Sequence, residues 1–450
     1  MNLESRARAA RAPDRSNSHC HGRRNPRSAR KAGFSRLSRA GRLKPGLPAG
    51  QHENSCPVGR FIGKGLGLLL SSLLLVAPTG CQFRRSNSYP LGIYSVPETN
   101  DLSVVRGAGF NLVTGPAEKT YLDAAGSLGL RVLASPHTSA GAAFNAAAAR
   151  RAVASLDSHR ALWAWYLCDE PEIHGVSPEQ VAAAHRFLKR VGANKPTALV
   201  MYQAYAALHY ANIADLTMVD RYPIPWLPLA NLPQHLRMAR LALGAKKPLI
   251  AVIQAFDWSA YPRELPGEKD LRSPTYEELR CMTYCALAQR ATGLFYYCFD
   301  AGGWKMREHP EAWESLKKVI REVTARLPLF QAEHLWWPVV HEFGDPALRF
   351  NEALDSSITP ARLKVKRGNS TVPPGEYLLA VNNTNQRHIY RFRLPIPTRG
   401  ILEVNSENRY VAVLDNWVTD EFSPYSVHVY GPLPSGESSS HSGAQSEPKP

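Results

Sequence analysis

Short apolar runs alternate with longer amphipathic segments from residue 89 to residue 335. The longer segments place apolar residues three or four positions apart, which is the spacing of a helix with one buried face. Strands and helices that alternate in this way are typical of βα units around a parallel sheet. Eight of the short runs fit strands: residues 91–96, 110–115, 131–135, 163–167, 198–202, 217–220, 249–254 and 294–299.

Eight strands over about 250 residues match the size of a (β/α)8 barrel. Helical patterns lie between them at residues 102–109, 121–129, 140–155, 178–191, 232–243 and 275–292. A doubly wound sheet is the alternative, but no Gly-rich phosphate loop follows the first strand. We therefore predict an α/β fold with a (β/α)8 TIM barrel over residues 86–335.

The pattern changes after residue 336. Short alternating runs, rich in β-branched and aromatic residues, are separated by polar turns at residues 375–382, 389–394, 401–404, 410–414 and 426–430. This pattern predicts a small antiparallel β-sandwich as an accessory domain over residues 336–432. Residues 433–450 are of low complexity and predict a disordered tail.

The charge of the chain is concentrated at its N-terminal end. The 450 residues carry a formal net charge of +16, and 44% of them are hydrophobic, which is enough for a large core. Up to residue 85 there are 17 Lys and Arg against 3 Asp and Glu, whereas the rest has 37 against 35. The folded part is therefore almost neutral, and its charge does not indicate a nucleic-acid partner.

The N-terminal segment has the pattern of an export signal. Residues 1–57 are rich in Arg, Ser, Gly and Pro and predict a disordered basic extension. We expect translation to start near Val58. Residues 58–81 predict a signal peptide, because a charge-free apolar run of 13 residues at 65–77 follows Arg60 and Lys64. The run ends in Ala77-Pro78-Thr79-Gly80-Cys81, which resembles a bacterial lipoprotein cleavage box with Cys81 as the lipidated residue. We predict an exported protein, periplasmic or at the cell surface, that reaches the membrane only through a lipid anchor.

Candidate chemistry lies at the predicted strand ends, because the active site of such a barrel is at the C-terminal ends of its strands. Carboxylates and aromatic side chains occur there together. The candidates are Tyr94, His137, Asp169, Glu170, Tyr202, Asp220, Tyr222, Gln254, Trp258, Asp300 and Trp304. A carboxylic acid can protonate a glycosidic oxygen, and an aromatic ring can stack on the flat C–H face of a pyranose. The pattern indicates an oligo- or polysaccharide substrate.

Three segments resemble glycoside hydrolases of the (β/α)8 barrel superfamily. Residues 165–171, Trp-Tyr-Leu-Cys-Asp-Glu-Pro, look like the Asp-Glu-Pro signature of the fourth strand. Residues 274–297 are similar to the helix and eighth strand of the same barrels, and residues 424–430 resemble their accessory β-domain. The resemblance covers residues 89–431 and implies an O-glycosyl hydrolase that uses carboxylate acid/base catalysis.

By that resemblance Glu170 is the general acid. A partly buried Glu beside the carboxylate of Asp169 is expected to have a raised pKa, as a general acid needs. In the large retaining clan a Glu at the end of the seventh strand is the nucleophile, and that position here is Gln254. Because a neutral amide cannot attack the anomeric carbon, this sequence departs from the pattern of the family.

Three hypotheses follow for the second catalytic group. Asp169 orients a 2-acetamido group that acts as the nucleophile, with Glu170 as the acid. Alternatively, Asp220 is the nucleophile or base. A distance of about 5 Å between the carboxyl groups of Asp220 and Glu170 would favour retention, and one of roughly 6.5–9.5 Å would favour inversion. In the third hypothesis the barrel is a non-catalytic carbohydrate-binding lipoprotein.

The remaining motifs predict structure rather than chemistry. Cys281 and Cys285 lie on one helical face in an apolar stretch and are expected to pack as small hydrophobes. No CxxC pair indicates a metal site, and the proposed chemistry requires no cofactor. Arg280 is expected to form an ion pair inside its own helix.

Overall fold

The computed structural model describes residues 89–141, 144–261, 270–337, 341–342 and 357–434. Within these ranges a closed barrel of eight parallel strands is followed by an antiparallel sheet, so the predicted α/β class with a TIM barrel is confirmed. The predicted extension, the signal peptide, Cys81 and residues 435–450 of the predicted tail lie outside the described residues. None of the described helices has the length and apolar character needed to span a membrane.

All eight predicted barrel strands form. They are β1 (Leu91–Ile93), β2 (Leu112–Thr114), β3 (Arg131–Ala134), β4 (Leu162–Asp169), β5 (Thr197–Met201), β6 (Leu216–Arg221), β7 (Leu249–Gln254) and β8 (Gly293–Tyr297). Each strand pairs in parallel with the next, and β8 pairs with β1 to close the barrel. A short hairpin of β9 (Asp300–Ala301) and β10 (Trp304–Lys305) follows.

The barrel strands are buried because their inward side chains fill the barrel and their outward side chains lie under helices. Every residue of β5 to β8 is buried, including the polar Asp220 and Gln254. Gly92 on β1 pairs with Phe295 on β8, and a Cβ at Gly92 would lie 2.4 Å from the Phe295 ring. A larger residue at position 92 would therefore displace this ring from the interior.

The described residues contain nine α-helices, and the six predicted helices are among them. In chain order these are α1 (Leu102–Gly107), α2 (Lys119–Ser127), α3 (Ala146–Leu156), α4 (Pro178–Arg190), α5 (Ala207–Tyr210), α6 (Asn231–Leu243), α7 (Tyr276–Ala288), α8 (Pro310–Ala325) and α9 (Leu327–Phe330). Helix α3 begins six residues later than predicted, because the Asn145 side chain caps it by accepting from Ala148 N at 3.0 Å.

The C-terminal part forms one antiparallel sheet. Its strands are β11 (Glu333–Leu335), β12 (His341–Glu342), β13 (Ile358–Val365), β14 (Gly375–Asn382), β15 (His388–Arg393), β16 (Gly400–Val404), β17 (Arg409–Leu414), β18 (Trp417–Phe422) and β19 (Val427–Tyr430). Hydrogen bonds connect them in the order β11-β13-β14-β19-β16-β17-β18-β15-β12. The predicted antiparallel domain therefore forms as one curled sheet instead of two packed sheets. Strand β11 pairs with β13, so the sheet begins before the predicted boundary at residue 336.

Strand β14 lies between two hydrophobic cores. Leu378 and Ala380 belong to the core that the curled sheet encloses, whereas Leu379 and Val381 belong to the core shared with the barrel. This division follows from the alternation of side chains along a strand. On the barrel side, the Sγ of buried Cys281 on α7 lies 3.4 Å from the carbonyl oxygen of Asn382. The predicted burial of Cys281 is thus confirmed, and it occurs at the contact of barrel and sheet.

Glu322 on α8 accepts hydrogen bonds from four side chains. Arg280 donates its Nε to both carboxylate oxygens, at 3.0 and 2.9 Å, and Arg326 donates from Nη1 at 3.4 Å. The hydroxyls of Tyr276 and Tyr284 donate at 3.1 and 2.8 Å. Burial opposes the charged form, but the bonds and charges of the two arginines outweigh it and lower the pKa of Glu322. The predicted ion pair of Arg280 within its own helix is wrong, because its partner lies on another helix, 42 residues away.

Candidate functional site

A cavity of about 360 Å³ lies at the C-terminal end of the barrel. Its walls include five residues that the sequence predicts for the site, namely Tyr94, Asp169, Asp220, Tyr222 and Asp300. They come from the ends of β1, β4 and β6 and from β9. Because the parallel strands of a barrel end on the same face, residues that are distant in sequence meet here.

A larger cavity, of about 610 Å³, lies between α7, α8 and the turns of the sheet. Glu322, Arg280 and Arg326 line it, and these side chains already pair with one another. The barrel cavity has its carboxylates at strand ends, where folds of this class carry their chemistry. We therefore assign the candidate site to the smaller cavity.

Asp169 is the last residue of β4, and it faces the cavity. The hydroxyl of Tyr166, three residues earlier, donates to Asp169 Oδ1 at 2.5 Å. Burial and the charge of Asp169 raise the pKa of Tyr166, so its hydroxyl stays protonated and remains a donor. Tyr166 also lines the cavity, but it lies three residues before the end of β4, so a rule based on strand ends does not identify it.

Glu170 directly follows β4 and lies below the surface. None of its area is exposed, and it is not among the residues of the cavity wall. Its backbone has a φ of +42°, a left-handed conformation that is uncommon outside glycine. Its N–H donates to the carbonyl of Val200 at 3.0 Å, and its Oε2 lies 3.9 Å from His174 Nε2. The chain turns here, which separates the buried Glu170 from Asp169 in the wall.

Asp220 and Arg221 end β6 with different surroundings. Asp220 lines the cavity although only 1% of its surface is exposed. Arg221 donates its Nε to the Asn231 side chain, and its guanidinium lies 4.4 Å from the centre of the Tyr202 ring. Successive side chains on a strand point to opposite faces. The side chain of Asp220 therefore lies on the cavity side of β6, whereas Arg221 packs against Tyr202 outside the cavity wall.

Gln254 is held by the loop that follows β6. Its Oε1 accepts from Ile224 N at 2.9 Å, and its Nε2 donates to the carbonyls of Ile224 and Phe256 at 2.8 and 3.3 Å. The residue is fully buried, and it is not in the cavity wall. The same loop carries Tyr222, whose ring stacks on Tyr297 with 5.4 Å between centroids. The amide of Gln254 thus supports the wall from behind.

Three further predicted ligand contacts do not reach the cavity wall. His137 is exposed elsewhere on the surface. Trp258 is 1% exposed and packs on Phe256 with 4.8 Å between ring centroids. Trp304 is fully buried, donates to the carbonyl of Cys298 at 3.1 Å and is not in the wall. Of the predicted aromatic contacts, Tyr94 and Tyr222 therefore meet the two carboxylates.

Glu172, on the loop after β4, is a second residue of this region that lies outside the predicted site. Its Oε1 accepts from Tyr202 N at 2.6 Å and from Gln203 N at 2.8 Å, which ties the loop after β4 to the end of β5. Burial raises the pKa of Glu172 to about 7, against the effect of these two donors, and the charge of Asp220 adds to the rise. Its position two residues after Glu170 was the available signal.

The fold and the cavity define a (β/α)8 barrel protein with an acidic, tyrosine-lined site. Across the described ranges, no three His, Cys, Asp or Glu side chains are grouped to hold a metal ion. No family model matches the chain, and no curated protein matches it.

Several solved structures of glycoside hydrolases are similar in fold. They include an α-amylase from Geobacillus thermoleovorans in complex with acarbose, at 11% identity and a TM-score of 0.46, covering 74% of this chain and 90% of that one. AmyP in complex with maltose has 8% identity and a TM-score of 0.47, covering 74% and 88%. A GH27 β-L-arabinopyranosidase from Geobacillus stearothermophilus has 10% identity and a TM-score of 0.48, covering 77% and 96%.

Proposed function

We propose that the protein is a glycoside hydrolase that cleaves an O-glycosidic bond of an oligo- or polysaccharide. The proposal depends on one observation, that Asp169 from β4 and Asp220 from β6 line a single cavity. Glycoside hydrolysis uses two carboxyl groups that flank the scissile bond. The rings of Tyr94, Tyr222 and Tyr297 in the same wall provide surfaces on which a sugar ring can stack.

The surroundings of the two carboxyl groups favour different roles. Asp169 lines the cavity and accepts a hydrogen bond from the hydroxyl of Tyr166, which holds its carboxylate in position to act as a nucleophile or a base. Asp220 is 1% exposed, and burial disfavours the charged form of a carboxyl group. Asp220 is therefore assigned as the general acid that protonates the leaving oxygen, and Asp169 as its partner.

Glu170, the general acid that the family resemblance implies, remains the alternative. With no exposed surface, it would contact a bound sugar only after a movement of the wall. The non-catalytic alternative drew on Gln254, which stands where the retaining clan has a nucleophile. The hydrogen bonds of Gln254 to Ile224 supply a structural reason for an amide at that position.

The test is a panel of aryl glycosides that includes 2-acetamido sugars, with release of the aryl alcohol as the readout. We expect Asp169→Asn and Asp220→Asn each to lower kcat by about 10²–10⁴-fold. Asp415→Asn, the same change on the exposed turn between β17 and β18, is the matched control. If kcat falls in Glu170→Gln and does not fall in Asp220→Asn, the general acid is Glu170 instead of Asp220. Saccharide binding by the wild type without turnover of any substrate would establish the carbohydrate-binding protein.

We also propose that the protein is exported and lipid-anchored at Cys81. The charge-free run at residues 65–77 and the cleavage box after it support this. Detergent phase partitioning in the native bacterium compares the wild type with Cys81→Ser. We expect the wild type in the detergent phase and the variant in the aqueous phase. If the wild type and Cys81→Ser partition into the same phase, the proposed lipid anchor at Cys81 is wrong.

A further inference from the structure

The short hairpin of β9 and β10 brings a third carboxyl group to the cavity, that of Asp300. Asp300 lines the same wall as Asp169 and Asp220. Hydrolysis of a glycosidic bond uses two carboxyl groups, and the proposed function gives these two roles to Asp169 and Asp220. Asp300 is therefore a carboxyl group of the cavity to which the reaction itself assigns no role.

The backbone of Asp300 is fixed by its neighbours. Its N–H donates to the carbonyl oxygen of Ser95, close to the end of β1, at 3.0 Å, and Lys305 pairs with it across the hairpin. From the loop after β7, the hydroxyl of Tyr261 donates to the carbonyl oxygen of Ala301 at 2.8 Å. A side chain on a backbone that is already held loses less conformational freedom when it binds a ligand.

The carboxylate of Asp300 is available to a ligand. The side chain is half-buried in the cavity wall, and no other described residue forms a hydrogen bond or an ion pair with its carboxylate. An ionised carboxylate only accepts hydrogen bonds, whereas a hydroxyl group can donate one. The hydroxyl groups of a sugar ring are therefore suitable partners for Asp300.

The charge of the wall restricts the sugar further. Among the described residues that line the cavity there are three aspartates and no Lys, Arg or His. A ligand that carries its own carboxylate, such as a uronic acid, would place a negative charge beside these acidic groups without a compensating positive charge. Like charges brought together in this way oppose binding.

We propose that Asp300 is a specificity-determining residue, whose carboxylate accepts hydrogen bonds from hydroxyl groups of the bound sugar and selects neutral sugars over uronic acids. The inference rests on the proposed glycosidase function and names the substrate class of that site. No bond forms or breaks at Asp300, so its effect is a difference between substrates. A site that binds a hydroxyl group rejects an analogue that lacks this group, because its polar partner is then left unpaired.

Monodeoxy substrates measure the hydrogen bond. From the aryl glycoside that the wild type cleaves fastest, each hydroxyl group of the sugar is removed in turn, and kcat/KM is compared with that of the parent. We expect at least one deoxy substrate to lower kcat/KM of the wild type by about 10–100-fold, as for the loss of a hydrogen bond to a charged group. In Asp300→Ala the two substrates should have nearly equal kcat/KM. Asp123→Ala, the same change at an exposed position of α2, should keep the full difference.

The charge is tested separately with Asp300→Asn, which keeps the shape of the side chain. The inhibition constant of the methyl uronide is measured relative to that of the neutral methyl glycoside. We expect this ratio to fall about 10-fold in Asp300→Asn, because one of the repelling charges is removed, and to stay at the wild-type value in Asp123→Asn. An unchanged ratio in Asp300→Asn would overturn the selection against uronic acids.

Failure of this inference can be told from failure of the proposed function. If the wild type cleaves the parent and every deoxy substrate equally well, or if Asp300→Ala lowers kcat/KM of parent and deoxy substrates by the same factor, the protein is a glycosidase and Asp300 does not select the sugar. If the wild type cleaves no glycoside, titration calorimetry with methyl glycosides and their deoxy analogues replaces the kinetics. A deoxy effect on affinity that disappears in Asp300→Ala would then retain the role of Asp300 and reject hydrolysis. If no saccharide binds, both proposals are wrong.

Discussion

Replacing Glu322 by Gln removes the negative charge that connects the barrel helices to one another. The carboxylate accepts from Arg280, Arg326, Tyr276 and Tyr284. Gln keeps the size of the side chain but has a single acceptor oxygen and an NH₂ group that faces donors. Two guanidinium groups therefore lose their anionic partner, while the space they occupy hardly changes.

The magnitude follows from burial. The side chain of Arg326 is 4% exposed, so water hardly replaces its lost partner, whereas Arg280 is 19% exposed and water replaces part of its partner. Removing one side of a buried ion pair costs about 3–5 kcal/mol, and we expect Glu322→Gln to lower the free energy of unfolding by that amount. Arg280 and Arg326 also donate to the sheet, to the carbonyls of Val427 and Asn405 at 3.4 and 2.5 Å. The loss is therefore expected to loosen the sheet together with the helices.

Urea unfolding followed by tryptophan fluorescence measures the effect. Glu314→Gln is the control, because the pair of Glu314 with Lys317 lies on the exposed face of the same helix and such pairs contribute about 0–1 kcal/mol. The lowered pKa of Glu322 means that its stabilisation is present above the ordinary Glu pKa and is lost as pH falls through the folded value. The two proteins should then converge in acid. A loss below about 1 kcal/mol at pH 7, or the same loss at every pH, would refute the reasoning.

Three further changes test the site. Tyr166→Phe removes the hydrogen bond that holds Asp169 in position, so kcat/KM should fall about 10-fold. Gln254→Ala removes three buried hydrogen bonds, two of them to Ile224, and should lower the urea-derived free energy of unfolding by about 2–3 kcal/mol. Glu172→Gln should abolish a pH dependence of stability. Because burial raises the pKa of Glu172 from 4.5 to about 7, its contribution is complete below pH 4.5 and is lost as pH rises through about 7. At 1.36 kcal/mol per pKa unit, the wild type should lose about 3 kcal/mol across that window.

Matched controls exist for each change. Tyr205→Phe alters an exposed tyrosine near the end of β5. Gln386→Ala alters an exposed glutamine in the loop between β14 and β15, and Glu179→Gln alters an exposed glutamate on α4. All three should behave as the wild type. An unaltered kcat/KM in Tyr166→Phe would contradict the first prediction. A free energy of unfolding within 0.5 kcal/mol of the wild type in Gln254→Ala would contradict the second prediction. If the free energy of unfolding of Glu172→Gln depends on pH as that of the wild type does, the third prediction is contradicted.

The barrel was predictable from the sequence because its strands and helices differ in period. Each buried strand is a short apolar run, and each helix shows a repeat of three to four residues, so the eight strands could be counted. The arrangement of the C-terminal strands was not predictable in the same way. The sequence of β14 predicts a strand of a sandwich with one buried face. In the structure both faces of β14 are covered, one by the curled sheet and the other by the barrel.

The residues of the candidate site that lie at strand ends were predictable from the sequence. Asp169, Asp220 and Tyr222 follow from that rule alone. Tyr166 and Glu172 do not, because their roles depend on contacts made after the chain has turned. The left-handed backbone at Glu170 directs this turn, and a local sequence pattern carries no signal for it.

The double burial of β14 makes the C-terminal sheet an integral part of the barrel's interior. A chain cut between β10 and β13 would expose Leu379 and Val381 on one fragment and the apolar flank of α7 on the other. The two parts are therefore expected to unfold in a single cooperative transition and to be inherited together. New substrate specificity in this architecture has to arise in the loops at the strand ends, since exchange of the C-terminal domain would disrupt the fold.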